Sequence, residues 1–448
     1  MTDTTKQDGG TQATVTVIGG GLAGLAASIH LAKRNFRVTC IEPVAEFNRM
    51  VGESLDWSAP DLLAELGLPM EKLIQSEICT FKRHVILQMP DGSKIEYVPS
   101  DWLGRPPLNI ELRTLHVDRL RLHQELSRIA GSYGVLVLRD RVVGLDKQGE
   151  RIVAVRTELG RTIASEWFVD ASGSSARVIG RALQLPEIVY GPKKVAFWSH
   201  LTTSDWQEGT TLYAHAPERG YMNWVWEIPI TPGTLSIGYV SNAEDFKKSR
   251  GENQSVEETY KQHLMKFDRF AKLLGTTGRD AAKFHATSFQ CRTYRRVCGR
   301  NWIIVGEAAS LPDPITSNGV TAALRHAVEG AKLICRSRKK RQISFWSRWL
   351  YNMRVRQMGK FFNSLIEKLA YDWPIRDRFG LLTAGDVYTI PAWSMNQIYS
   401  RLQPDGTLST VLFCGFLAFL RGVAWCAHKI CKIFPSSQQT LEVYATCT

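Results

Sequence analysis

Four β-branched residues in a row, Val15, Thr16, Val17 and Ile18, open the patterned part of the chain, and the run stops at Gly19. From Gly21 to Ala32 the residues are small and apolar at helical spacing. A second β-branched run, Val38 to Ile41, then ends on Glu42. Strand, helix and strand in this compass predict a βαβ unit with its two strands parallel. Ala59 to Leu66 is helical and stops at Gly67-Leu68-Pro69, a glycine C-cap followed by proline. Phe81–Met89 and Lys94–Val98 alternate around Pro90-Asp91-Gly92 and predict a hairpin. His116 to Ala130 predicts a helix. Val135–Leu138, Val142–Leu145, Ile152–Thr157 and Arg161–Ala164 predict short antiparallel strands. Trp167-Phe168-Val169-Asp170 reads as a buried strand entering Ala171-Ser172-Gly173. Lys194 to Val240 predicts aromatic-rich strands, and Ser255 to Leu273 is helical. Asn301 to Val305 is one more buried strand, entering Gly306-Glu307-Ala308-Ala309, and from Ile334 onward the pattern is helical and basic.

At 448 residues the chain is long enough for two or three cores. Apolar content of 44% and charged content of 22% exclude a disordered polymer. The net charge of +13 is unevenly spread: Arg336 to Lys360 holds nine Lys or Arg and no Asp or Glu. That run reads as a solvated helix surface, or as a face for anionic lipid or for an acidic partner such as a carrier protein. No recognition motif accompanies it, which argues against nucleic acid. The nine cysteines include no CxxC pair and no Cys/His ligand spacing, so no metal site is expected. The polar N-terminus lacks the apolar core of a signal peptide, and a reduced, cytoplasmic protein is the expectation. Leu408 to Leu420 is thirteen residues without a charge, short of a bilayer span. A buried helix and an interfacial membrane helix both fit it.

The chemistry begins at Gly19-x-Gly21-x-x-Gly24 between the first strand and helix. Gly19 allows a tight turn, Gly21 lets backbone approach a pyrophosphate, and Gly24 lets helix pack on strand. Glu42 is placed to accept hydrogen bonds from a ribose. The first helix N-terminus offers free N–H groups to the phosphates. A dinucleotide site follows. Two further features point to FAD: the small-residue turn after Asp170, and Gly306-Glu307 with Pro312-Asp313-Pro314 and Ser317-Asn318-Gly319-Val320 ahead of a helix. That helix N-terminus suits the negative charge of a reduced flavin.

Over residues 12–335 this arrangement resembles the FAD-dependent monooxygenase superfamily of the p-hydroxybenzoate hydroxylase type. The resemblance implies a GR2-type Rossmann α/β fold with an antiparallel β-sheet substrate domain and a C-terminal helical region. Residues 1–190 and 291–335 would form the FAD-binding domain, 191–290 the β-rich substrate domain and 336–448 the helical region. Arg49 and Arg113 sit where such proteins keep arginines near the cofactor. Glu307 stands where aspartate is usual.

Gly52-Glu53-Ser54 resembles the branch that contains flavin-dependent halogenases and geranylgeranyl reductases. Trp224-Val225-Trp226-Glu227-Ile228-Pro229 matches the halogenase WxWxIP signature. Thr80-Phe81-Lys82 lies close to where halogenases carry an essential lysine. Asp313-Pro314-x-x-Ser317-x-Gly319 fits their second fingerprint, with Leu311 in place of its phenylalanine. The resemblance implies that reduced FAD, O2 and halide (chloride or bromide) yield hypohalous acid, which Lys82 captures and presents to an electron-rich carbon. Trp224 and Trp226 would keep the organic substrate from the flavin, and Ser317 would join the chemistry. Gly319, Val320 and Gly306 would lie at the flavin, with the halide at Asn318–Val320. Thr316 replaces the glutamate of the tryptophan-modifying members, which points to a non-tryptophan substrate, small or carrier-tethered. No second GxGxxG marks a nicotinamide domain, so a separate flavin reductase supplies the electrons. An FAD monooxygenase or prenyl reductase acting on a lipid remains the alternative, and a non-catalytic FAD-binding scaffold a second one.

Overall fold

The computed structural model describes residues 12–45, 51–88, 94–98, 113–215, 221–276, 284–367 and 407–433, with Phe47, Gly92, Pro106, Asn109 and Tyr371. The path begins with β1 (Thr14–Ile18), α1 (Leu22–Ala32) and β2 (Arg37–Ile41). Strands β3 (Cys79–Phe81), β4 (Val85–Gln88), β5 (Lys94–Tyr97) and β6 (Leu115–Val117) follow. Helix α2 (Arg119–Ser132) leads to β7 (Leu136–Leu138) and β8 (Trp167–Asp170). The long strands β9 (Lys194–Thr202), β10 (Thr210–His215), β11 (Asn223–Thr231) and β12 (Thr234–Asn242) come next. Three helices, α3 (Ala243–Ser249), α4 (Val256–Met265) and α5 (Asp268–Thr276), precede β13 (His285–Phe289) and β14 (Trp302–Ile304). The described chain ends in α6 (Gly319–Ser337), α7 (Phe345–Leu365) and α8 (Thr407–Ile433).

Five strands form a parallel sheet in the order β14-β8-β1-β2-β7. Both faces are covered, which is why β1 and β8 are apolar nearly throughout. Gly24 supplies the close contact between α1 and the turn after β1: a Cβ there would stand 1.8 Å from the Gly19 carbonyl oxygen. Residues 135–138 depart from their expected antiparallel pairing, because Leu136–Leu138 joins β2 in parallel. Helix α2 before it makes this a crossover return, and a short apolar strand carries no mark of its partner's direction. That helix also starts later than the spacing suggests, since Leu115–Val117 is a strand paired with β3. The strands Val142–Gln148, Arg151–Thr157 and Thr162–Ala164 form the small antiparallel sheet that their alternation predicts.

The second large sheet has the order β13-β9-β12-β11-β10-β4-β5. The hairpin strands β4 and β5 join it through a parallel pairing of β4 with β10. Strands β4 and β5, inside the first 190 residues, therefore join the second sheet. One face of β11 carries Trp224, Trp226, Ile228 and Ile230 into a cluster with Val51, Ile315 and Tyr371. Its other face carries Val225 onto Tyr260, Leu264, Phe270 and Leu273 of α4 and α5. The helical stretch 255–273 is divided into α4 and α5, the first entered through a Ser255/Glu258 capping box.

Helix α8 packs on α7 and buries Phe413, Cys414, Leu417 and Leu420, while Leu408, Leu412 and Phe419 stay exposed. The segment Leu408–Leu420 is thus half core and half surface. Among the described residues no helix is long and apolar enough to cross a membrane. The seven described cysteines are free thiols.

Candidate active site

The C-terminal ends of the parallel strands form the cofactor end of the site. The Gly20 N–H donates to Glu42 Oε2 at 2.6 Å, and the Val44 N–H donates to Glu42 Oε1 at 2.8 Å. These bonds fix the carboxylate and leave lone pairs for a ribose. Helices α1 and α6 start at Gly21 and Asn318 with no side-chain cap, so their first-turn N–H groups are available to an anion. A Cβ on Gly21 or on Gly319 would meet no atom within 4 Å. The residues present thus fit FAD: α1 would hold its phosphates and α6 its flavin.

An arginine that the sequence did not single out also lies at this end. Arg113 is exposed, and Arg49 lies outside the described residues. Arg119, at the first turn of α2, stands against Gly52, and its enclosed Nη1 has no hydrogen-bond partner among the described residues. Burial pushes its guanidinium down to about 10, against the pull of Glu307, Glu53 and Asp118. One turn on, His123 donates to the Gly20 carbonyl at 2.9 Å. Burial holds this imidazole below its ordinary value, so the ring is neutral. Glu307 is exposed and accepts from Ser174 Oγ at 3.0 Å, beside Gly306. Asp170 is fully buried, and its carboxylate takes the Ser172 hydroxyl and amide and the Ile179 amide. Those bonds use it to shape the turn against Gly19, so its part at the cofactor runs through that turn.

Gly52-Glu53-Ser54 lies between the two sheets. Glu53 pairs with His200 on β9, and Ser54 meets Thr210 on β10 at 3.2 Å, so the segment crosses the two strands between them. The Ser317 hydroxyl, on a residue held at φ +54°, donates to Ser54 Oγ at 3.1 Å. From Thr210 the chain of bonds continues to His116 Nε2 at 2.8 Å and from His116 Nδ1 to Thr80 Oγ1 at 3.2 Å. Thr80 in turn donates to the carbonyl of Pro229, the last residue of the WxWxIP motif. Burial, then the Lys82 charge, keeps His116 well below its ordinary range and neutral.

Lys82 emerges from this same strand and is 2% exposed. Its Nζ donates to the Leu55 carbonyl at 3.0 Å and lies 4.8 Å from the Trp57 ring centroid. Burial pushes the amine from 10.5 down to about 7, although Asp56 pulls the other way. A solvated surface lysine is ruled out. An amine so enclosed gives up its proton far more readily than a solvated lysine does.

The indoles pack beside the Gly52 segment and the 313–317 loop, in a cluster with Val51 and Ile315. Trp224 and Trp226 lie 5.8 Å apart between centroids, Trp226 Nε1 donating to Ser236 Oγ at 3.1 Å. Trp198, Gly238, Trp226, Leu212 and Leu87 share one row of the sheet. A Cβ on Gly238 would come within 2.0 Å of the Trp226 ring, so this glycine gives the indole its place.

The tryptophan halogenase family model matches residues 105–376, more than half of the chain. The chain belongs to the tryptophan halogenase family. A second model, glucose inhibited division protein A, matches 14–188, the cofactor-binding part. The tryptophan 2-halogenase of Chondromyces crocatus is 27% identical over 333 residues, covering 71% of this chain and 60% of that protein. The 1H-pyrrole-2-carbonyl-(peptidyl-carrier protein) chlorinase of Pseudomonas fluorescens is 26% identical over 343 residues, 70% of this chain and 73% of that one. The crystal structure of CmlS, a flavin-dependent halogenase, aligns with a TM-score of 0.68 at 25% identity, over 85% of this chain and 67% of that chain.

Within this halogenase family frame the structure brings together Glu53, Ser54, Lys82, Trp224, Trp226, Ser317 and Val320. It adds Arg119, His116, Thr210, His200 and Gly238, which sequence reasoning missed. Only His116, a polar residue between Leu115 and Val117 in a buried strand, left a trace in the pattern.

Two outcomes follow from this geometry. Purified protein should show flavin absorbance, and Gly21→Val, whose branched side chain would stand where the pyrophosphate must approach, should abolish it and end saturable binding of added FAD. Lys82→Met should stabilise the fold at pH 7. The folded amine titrates near 7 and the unfolded one near 10.5. The wild type therefore carries a penalty that is greatest below pH 7 and vanishes toward 10.5. The denaturation midpoint of the variant should exceed that of the wild type at pH 7, and the gap should close as the pH approaches 10. A gap that is constant with pH would place the ammonium in water.

Proposed function

We propose that this chain is a two-component flavin-dependent halogenase that acts on an electron-rich, non-tryptophan substrate, either small or tethered to a carrier protein. The observation that carries this reading is the dehydrated Lys82 amine, set between the Gly52–Ser54 segment and the WxWxIP strand. Bound reduced FAD, with O2 and halide, supplies hypohalous acid. The α6 N-terminus at Asn318–Val320 holds the halide through backbone N–H groups. Lys82, in its unprotonated share, attacks the halogen of hypohalous acid through Nζ. The N–halogen bond forms as the O–halogen bond breaks, and the amine proton leaves with hydroxide as water. The buried hydroxyl and imidazole groups from Ser317 to Thr80 exclude bulk water along one side. Trp224 and Trp226 separate the organic substrate from the oxidant's source.

The substrate class rests on the loop 313–317. The Thr316 side chain is buried and spends its hydroxyl on the Asp313 carbonyl at 3.1 Å. It can serve as no general base for an indole. The pyrrole chlorinase among the relatives acts, by its name, on a carrier-bound pyrrole, which favours the tethered form. A separate flavin reductase supplies the FADH2, in a cytoplasmic setting. The halogenase relatives give the lipid monooxygenase or reductase reading no support.

With FAD, a reductase, O2, halide and an accepted aromatic substrate, Lys82→Ala should lose halogenated product on the order of 10³-fold. Flavin consumption and release of hypohalous acid or peroxide should continue, because they precede the lysine. Lys82→Arg should fail as well, its guanidinium being always protonated. Mass spectrometry of the product decides the matter: halogenation by Lys82→Ala at the wild-type rate, or modification that needs no halide, overturns the reading.

A peripheral contact with an anionic membrane is a further part of the proposal. Leu408, Leu412, Phe419 and Trp425 on α8 and Phe345, Trp346 and Trp349 on α7 are exposed, and neither helix contains an acid. The protein should sediment with phosphatidylglycerol vesicles at low salt, and less so at high salt. The double variant Leu412→Glu/Phe419→Glu should stay in the supernatant. A wild type that ignores these vesicles at low salt rules the contact out.

A further inference from the structure

A second buried polar cluster joins the flavin-side loop to the indole wall through Lys194, Cys291, Glu367 and Tyr371, which lie outside both fingerprints. At its centre Lys194, 1% exposed, donates to Asp313 Oδ2 at 2.8 Å and pairs with Glu367. Burial alone would strip its proton, but Asp313, Tyr371, Cys291 and Glu367 reverse this and hold the ammonium. Cys291, Asp313 and Glu367 are of metal-ligand type and lie together. The ammonium between the two carboxylates supplies their positive charge.

Tyr371 ties this cluster to the wall. The Trp224 indole N–H donates to its phenol oxygen at 2.9 Å, and the phenol O–H donates to Asp313 Oδ1, also at 2.9 Å. The ring stacks on Tyr221 at 4.8 Å and covers the Lys194 ammonium at 4.1 Å. Its backbone is fixed too, the Met222 N–H donating to the Tyr371 carbonyl. On the other side Asp313 Oδ1 accepts the Ile315 amide at 3.1 Å, and the Asp313 amide donates to Asn363 of α7. Asp313 therefore anchors the loop that carries Ser317 and enters α6.

We infer that Tyr371 is a positioning residue that fixes Trp224 and the Asp313–Ser317 loop relative to one another, so that oxidant made at the loop meets a closed indole wall. Among the described residues its phenol is the group hydrogen-bonded to both. This rests on the halogenase reading above, and the test separates the two.

Tyr371→Phe keeps the stacked ring and the cover over Lys194 and removes both hydrogen bonds. FAD affinity should be unchanged. Halogenated product per reduced flavin consumed should fall about fivefold, with free hypohalous acid or peroxide rising in its place, the factor expected for one hydrogen bond of about 1 kcal/mol. In 1H–15N spectra of indole-labelled protein, the Trp224 resonance, assigned by Trp224→Phe, should move upfield in Tyr371→Phe. The double variant should leak no more than Trp224→Phe alone, because the tyrosine acts through the indole. An unmoved indole resonance overturns the proposal, as does unchanged partition between product and leak. So does a double variant whose losses simply add. Were Tyr371→Phe not to fold, Trp224→Phe must reproduce the fivefold loss from the other side of the bond, and full coupling in that variant also overturns it. If the wild type makes no halogenated product, the halogenase reading fails, while the indole resonance still reports whether the phenol holds Trp224.

Discussion

An amine becomes a nucleophile at neutral pH only where its ammonium is expensive to hold, and the surroundings of Lys82 are arranged around that expense. The strand that carries it is short, Cys79–Phe81, and is pinned on one side by β6 and on the other by the bond from Thr80 to the Pro229 carbonyl. Trp57 and the Leu55 carbonyl complete the enclosure, with a carboxylate, Asp56, near enough to attract but not to pair. A lysine in such a place destabilises the fold on the order of several kcal/mol when charged. Burial of this kind is retained where chemistry needs it.

The same enclosure requires two sheets that do not slide. Glu53 with His200, and Ser54 with Thr210 and His116, are contacts between the segment after β2 and the antiparallel sheet. Each group is buried and each finds a partner, so loosening one would leave an unsatisfied polar atom in the interface. The segment that borders the flavin position thus also sets the distance to the lysine. A motif of three small or acidic residues at this point has a structural reason: Gly52 leaves room for Val320 and Arg119, and the next two side chains fasten the sheet.

The βαβ unit was legible because glycine spacing is a steric requirement that reads directly from the letters. Gly24 against the Gly19 carbonyl is that requirement met. Strand direction was not legible: Leu136–Leu138 and the start of the next strand, Val142–Leu145, are both short and apolar, yet one pairs parallel and the other antiparallel. The hairpin at 85–97 was legible as a hairpin, but its sheet was decided by a partner more than a hundred residues on. Lys82 was singled out by its place after Thr80-Phe81, but its dry surroundings were not legible beside Arg83 and an exposed Phe81, and come from the tertiary structure. Arg113 was expected near the cofactor. The helix that begins six residues later also carries Arg119, set beside Gly52 in its Asp118-capped first turn, and no motif in the sequence marks it.

Fold alone does not choose between the chemistries this scaffold can support, because the cofactor end is generic. Uncapped helix N-termini and a ribose-facing acid serve any flavin enzyme. What narrows the choice is the pair of buried networks that leave that end on different sides. One, through Ser317, Ser54, Thr210, His116 and Thr80, leads toward the lysine. The other, through Asp313 and Tyr371, leads to the indoles. Both begin in the same six-residue stretch before α6, between Asp313 and Asn318. A single loop thereby ties the start of α6 to both the buried lysine strand and the indole wall. An enzyme that handled its oxidant only at the flavin would need neither connection.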